Sequence, residues 1–140
     1  MRNISQSYLY NSPKHAVRND NLQLLRIIRS TAFLRIDFGY HATDFYSRGG
    51  WVDISPDTFI RDTKTKVCFT MLRAENIPLA PKHLHFKSTN EWLYFSLYFE
   101  PLPESTLQID LIESEPGKTT DFNFYKIQLN KLNQLSLKAI

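Results

Sequence analysis

Three segments near the C-terminal end, residues 91–99, 106–113 and 121–129, carry apolar side chains at alternate positions. In the first, Leu93, Phe95, Leu97 and Phe99 alternate with Trp92, Tyr94, Ser96 and Tyr98. In the second, Leu107, Ile109 and Leu111 alternate with Gln108, Asp110 and Ile112, while Phe122, Phe124 and Ile127 mark the third. Successive strand residues point to opposite faces, so a period of two predicts strands of an antiparallel sheet with one buried face. The joints support this. Glu100-Pro-Leu-Pro-Glu104 ends its strand because proline cannot donate to a ladder, and Glu115-Pro-Gly-Lys118 is a turn.

The same reading extends upstream. Residues 31–40 alternate, with Ala32, Leu34, Ile36 and Phe38 expected on the core side. Residues 22–29 have a spacing that also suits a helix, but the Ile27-Ile28 pair and the following strand favour β. Residues 58–61 and 65–72 form a hairpin about residues 62–64, and residues 82–86 form a short strand. Residues 41–51 form a loop in which Arg48-Gly49-Gly50 permits a tight turn. Residues 1–21 are expected to be an N-terminal arm with a short strand at 4–10, and 130–140 a tail or edge element. Eight or so short strands, spaced about ten residues apart, imply a sandwich or barrel. The fold expected is therefore all-β, a single-domain antiparallel β-sandwich of Ig-like or jelly-roll type over residues 22–129.

Composition limits the alternatives. A chain of 140 residues with 42% hydrophobic content, ten Phe and seven Tyr can close one core without a disulfide or structural metal. Net charge is +3; residues 1–87 hold 13 Lys/Arg against 7 Asp/Glu, and residues 88–140 hold 4 against 7. This dispersed charge argues against nucleic acid as a partner, with Arg61, Lys64 and Lys66 the nearest approach to a basic cluster. Cys68, the one cysteine, sits in an expected strand and is read as a small buried hydrophobe. No apolar run reaches the ~20 residues of a membrane span, and the start of the chain lacks a signal-peptide core. A cytoplasmic location is expected.

The candidate chemistry is sparse. His83-Leu84-His85 places two imidazoles on one strand face, where both could reach a metal. The pair resembles the HxH of the first cupin motif, but the upstream glycine is missing, the spacing to Glu91 is one too long and no second motif follows. Strand histidines are the plainer reading, and no catalytic residue, cofactor or metal is assigned. Asp37, Asp44, Asp53 and Asp57 are too dispersed for a calcium loop and are read as solvated turn acids. Trp92, Tyr94 and Tyr98 form an aromatic row expected to pack in the core or between sheets; on an open face the row would suit sugar rings. Trp51, on a loop, is the better candidate for an exposed contact.

Several phrases together carry a resemblance: Gly49-Gly-Trp51, Ile54-Ser-Pro-Asp-Thr-Phe-Ile-Arg-Asp62, Leu72-Arg-Ala-Glu-Asn-Ile-Pro78, Phe99-Glu-Pro-Leu-Pro103, Ile109-Asp-Leu-Ile-Glu113 and Phe122-Asn-Phe-Tyr-Lys-Ile127. The chain resembles, over residues 22–129, a group of uncharacterised bacterial Ig-like sandwich modules that stand ahead of peptidase, thioredoxin-like or repeat domains. Lys126 departs from the glycine this resemblance leads one to expect. The resemblance implies a fold and carries no catalytic residues; with no domain following Ile140, an accessory role is expected in trans or within an oligomer. The function expected is a non-catalytic interaction or accessory module acting on a protein partner or on itself, with a cupin-like metal enzyme or a glycan-binding module as alternatives. Its contact surface is expected to combine Arg48 and Trp51 with Arg61, Lys64 and Lys66.

Overall fold

The computed structural model describes residues 6–9, 16–17, 21–43, 46–115 and 121–129. The expectation for residues 130–140 lies outside them. Eleven strands follow in chain order: β1 (Gln6–Leu9), β2 (Ala16–Val17), β3 (Leu22–Arg29), β4 (Leu34–His41), β5 (Trp51–Val52), β6 (Phe59–Asp62), β7 (Cys68–Glu75), β8 (Leu84–His85), β9 (Trp92–Phe99), β10 (Gln108–Ile112) and β11 (Phe124–Gln128). Among the described residues there is no helix. The fold is all-β, and every strand pairing is antiparallel.

Seven strands run in the order β3-β4-β9-β7-β6-β10-β11, with β1 added beside β3 and β2 beside β11. Both additions come from the stretch read as an arm. β5 and β8 form a separate two-stranded sheet. The three C-terminal segments are strands, but β9 and β10 are not neighbours: β9 lies between β4 and β7, and β10 between β6 and β11. The sheet curls at β7. Its first residues pair with β6, where Cys68 faces Arg61, and its later ones pair with β9, where Glu75 faces Ser96.

Curling brings β4 and β9 against the start of β11 across the core. Phe38 lies parallel to Phe95 at 5.1 Å and meets Phe124 at 5.8 Å, and Phe122 meets Tyr40 at 5.5 Å. Around these rings pack Leu34, Ile36, Leu97, Phe99, Ile60, Ile109 and Leu111. Ala32, expected on the core side, is exposed, because it falls in the turn before β4, where the Ser30 hydroxyl accepts its N–H. Cys68 is also exposed, which corrects its reading as a buried hydrophobe. Phe69 and Met71 are the residues of β7 that turn inward there, so Cys68 falls on the outer face.

Three bulges reset the in-out alternation. Leu25 is the extra residue of β3, Leu72 of β7, and one of Tyr125 and Lys126 of β11. A bulge sets two residues against one and bends its strand. Lys126 has φ +57°, and its N–H donates to Asp110 Oδ1 at 2.9 Å. A left-handed backbone costs an L-residue about 1–2 kcal/mol that glycine avoids, and the Lys126 side chain is exposed. The lysine thus occupies a position whose backbone suits glycine. Lys126→Gly is expected to raise stability by about 0.5–1 kcal/mol in urea unfolding, the relief being partly offset by glycine's larger unfolded-state entropy. A loss of stability would show that the lysine side chain contributes more than its backbone costs.

Candidate interaction surface

The loop 42–50 begins where His41 of β4 pairs with Trp92 of β9. Gly49 (φ +88°) and Gly50 (φ +73°) turn it back sharply. A Cβ on Gly49 would stand 2.7 Å from Ala42 Cβ and 2.8 Å from the Ser88 carbonyl oxygen, so no larger residue fits. The Ala42 N–H donates to the Glu91 carbonyl and the Phe86 N–H to that of Gly50, tying the loop to the segment 84–91. Glu91 Oε1 in turn accepts the N–H groups of Lys87 and Ser88. The turn is therefore held in place, and Trp51 follows directly from it.

Trp51 pairs with His85, and Val52 with Leu84. Val52 points into the core, so Trp51 points out, 51% exposed. Its ring lies 4.2 Å from that of His83, tilted by 32°. His83 Nδ1 is 3.5 Å from Asp53 Oδ2, and the His83 ring meets the His85 ring edge-on at 5.6 Å. Arg48 and Tyr46 are exposed on the loop beside them. The two histidine rings do lie against each other, but the strand expected at residues 82–86 is reduced to Leu84–His85, and His83 precedes it. Among the described residues no group of three or more His, Cys, Asp or Glu side chains is placed to hold a metal ion.

The other expected members of this surface lie elsewhere. The β6–β7 turn carries Lys64 and Lys66, both exposed, beyond the end of β9 where Phe99 meets Met71. Trp51 belongs to the opposite end, where β9 starts. The register therefore does not bring Lys64 and Lys66 together with Arg48 and Trp51. Arg61 is engaged within the fold: it donates to Glu115 at 3.1 Å and to Asp110 at 3.4 Å, and its guanidinium sits over the Phe59 ring. The exposed cations that flank β8, the strand paired with that of Trp51, are Lys82 and Lys87. No local motif marks them; only the β5–β8 pairing does.

A second surface lies on the outer face of β4 and β9. Trp92 (43% exposed) and Tyr94 (59%) face solvent, which corrects the expectation that they pack in the core or between sheets. Their rings are near-parallel, 7° apart with centroids at 6.0 Å, and His41 meets Trp92 edge-on at 4.8 Å. Opposite Tyr94 stands Gly39, where a Cβ would come within 3.3 Å of the tyrosine ring and 3.4 Å of Trp92. Tyr98, the third of the row, is buried instead, with Arg73 over its ring at 4.1 Å. Between these rings Asp37 accepts from Arg26, Arg35 and Ser96. Burial pushes the Asp37 carboxyl up, but those hydrogen bonds outweigh it and hold the group below its ordinary value. Asp37 is thus an ion-pair centre on a strand, not the solvated turn acid expected.

No helix of the described residues is long and apolar enough to cross a membrane. Compared with models of known protein families, with curated proteins and with solved structures, the chain matches none.

Proposed function

We propose that the chain is a non-catalytic interaction module: an Ig-like sandwich of the bacterial accessory type that binds a protein partner, or a second copy of itself, through the surface centred on Trp51. One observation carries this reading. A large aromatic ring is half exposed at the start of β5, directly after two left-handed glycines that backbone hydrogen bonds tie to the segment 84–91. Tryptophan offers wide contact area at little conformational cost, and such residues dominate binding energy at interfaces. Arg48 and the histidines supply polar contacts around it.

Trp51→Ala is expected to weaken partner binding by roughly 30-fold or more, the effect of losing a hot spot of about 2 kcal/mol. Stability should change by less than about 1 kcal/mol, since the ring is outside the core. Binding measured on captured partner, with thermal unfolding in parallel, separates the two effects. An unfolded Trp51→Ala protein, or unchanged binding, would sink the assignment.

The exposed Trp92–Tyr94 pair favours a second reading, glycan binding, because near-parallel rings offer a flat face to a pyranose ring. It predicts a tryptophan fluorescence change on adding oligosaccharides that persists in Trp51→Ala and disappears in Trp92→Ala. A flat titration across neutral and acidic oligosaccharides would discard it.

A further inference from the structure

We infer that the free edge of β8, whose other edge pairs with the strand of Trp51, docks an extended acidic segment of the partner; this rests on the interaction surface proposed above and names its partner's chemistry. The first argument is backbone geometry. The Phe86 N–H bonds to the Gly50 carbonyl, so Trp51 and His85 form a non-hydrogen-bonded pair of the antiparallel ladder. The N–H and C=O of His85 therefore point away from β5. β8 has no strand on that side among the described residues. An exposed strand edge is a template for one more strand, and main-chain bonding of this kind recognises extended peptides.

Charge supplies the second argument. Arg48, Lys82 and Lys87 are exposed and make no ion pair with any described residue, and His85 adds a basic side chain. The neighbouring carboxylates are occupied: Asp53 faces His83, and Glu91 is bonded to backbone N–H groups. Asp57, on the next turn, is the exposed acid among the described residues that follow Trp51 most closely. Among the described residues the three cations without an ion pair outnumber the Glu91 carboxylate, so the balance around the edge is positive, which complements an acidic partner and steers its approach.

The geometry favours peptide over single-stranded nucleic acid. Nucleic acid is held by a groove with successive stacking rings. Here one indole is available, and one of its faces is taken by His83. A strand edge offers nothing to a phosphate backbone that it does not offer better to a peptide.

The test titrates the full chain, read by tryptophan fluorescence, with three probes: an eight-residue peptide alternating Glu and Val, its Lys-Val counterpart, and an oligothymidylate. The Glu-Val peptide should bind, the Lys-Val peptide should not, and binding should weaken with salt. Lys82→Glu/Lys87→Glu should reduce Glu-Val affinity at least tenfold; Lys64→Glu/Lys66→Glu, at the other end of the sheet, should leave it within about twofold. Lys82→Gln/Lys87→Gln, a milder change, should fall between and covers the case in which charge reversal disturbs folding. Absent Glu-Val binding, equal affinity in the double Glu variant, or tighter oligothymidylate binding would each overturn the inference. A captured partner lost with Trp51→Ala but retained by Lys82→Glu/Lys87→Glu would overturn the acidic class alone. Retention by both variants would overturn the Trp51 surface as well.

Discussion

Phe38→Ala is expected to cost about 4 kcal/mol, within the range of roughly 3–5 kcal/mol for truncating a buried phenylalanine. The ring is 1% exposed and sits between Phe95 on β9 and Phe124 on β11, strands that are far apart in the sheet order. Removing it opens a cavity where the curled sheet closes on itself, and neither flank can collapse without moving a strand. A domain of this size has about 5–15 kcal/mol in total, so this change consumes a large share of it. Leu107→Ala, at an exposed apolar position, should cost within about 0.5 kcal/mol. Urea midpoints with an unchanged slope would measure both. A Phe38→Ala loss below about 1 kcal/mol would mean that β11 does not pack across β4.

Asp62→Ala is the largest expected loss outside the apolar core, about 3 kcal/mol. Asp62 ends β6 and is 5% exposed. Its Oδ1 accepts the N–H groups of Lys64 and Thr65, and its Oδ2 accepts the Thr106 hydroxyl at 2.8 Å. One carboxylate thus folds the β6–β7 turn and ties it to the entry of β10. Alanine strands a buried hydroxyl and leaves two N–H groups without partners, and each such group costs about 1–3 kcal/mol when it stays dry. Asp62→Asn keeps the acceptor for the turn and should recover part of the loss.

The same residue sets a pH dependence. Burial pushes the Asp62 carboxyl up, but hydrogen bonds from the Thr106 hydroxyl and from Thr65 and Lys64 outweigh it and hold the group below its ordinary 3.8. A depressed acid gives stability that is complete above the unfolded value and is lost as pH falls through it toward the folded one. Stability of the native protein should therefore drop below about pH 4, and Asp62→Asn should drop less steeply. Parallel acid limbs for the two proteins would remove Asp62 from the account.

Much of the strand content was legible because burial leaves a period of two. β9 carries it in its sequence, with Leu93, Phe95, Leu97 and Phe99 inward, although Ser96 and Tyr98 on the other face are buried as well. Where a bulge intervenes the period breaks. Leu24 and Ile27, both buried, stand three apart across the bulge at Leu25, which is why that strand also read as a helix. Phe124 and Ile127 repeat the pattern on β11. Strand order was not legible, since nothing local tells β9 to pair with β4 and β7 in place of β10.

The candidate surface was half legible. Trp51 stood out because Gly49 and Gly50 precede it, and both glycines do adopt left-handed backbone. Its neighbours did not stand out, because they depend on the pairing of Trp51 with His85, 34 positions further along the chain. Lys64 and Lys66 looked adjacent for want of a register, and Arg61 looked free because Asp110 and Glu115 reach it only once β10 pairs with β6. The outward turn of Trp92 and Tyr94 was hidden for a related reason. Alternation assigns residues to two faces without saying whether the second face is covered, and Tyr98 on that face is covered by Arg73 while Trp92 and Tyr94 are not.

Lysine-directed crosslinking of the chain to its captured partner, mapped by mass spectrometry, tests the central claim most directly. Lys82 and Lys87 flank β8 beside Trp51, and Lys64 and Lys66 mark the opposite end of β9. Crosslinks concentrated on Lys82 and Lys87, and lost in Trp51→Ala, are the result expected. Crosslinks concentrated on Lys64 and Lys66, with the first pair unmodified by partner, would contradict the Trp51 surface and move the binding site to the other end of the sheet.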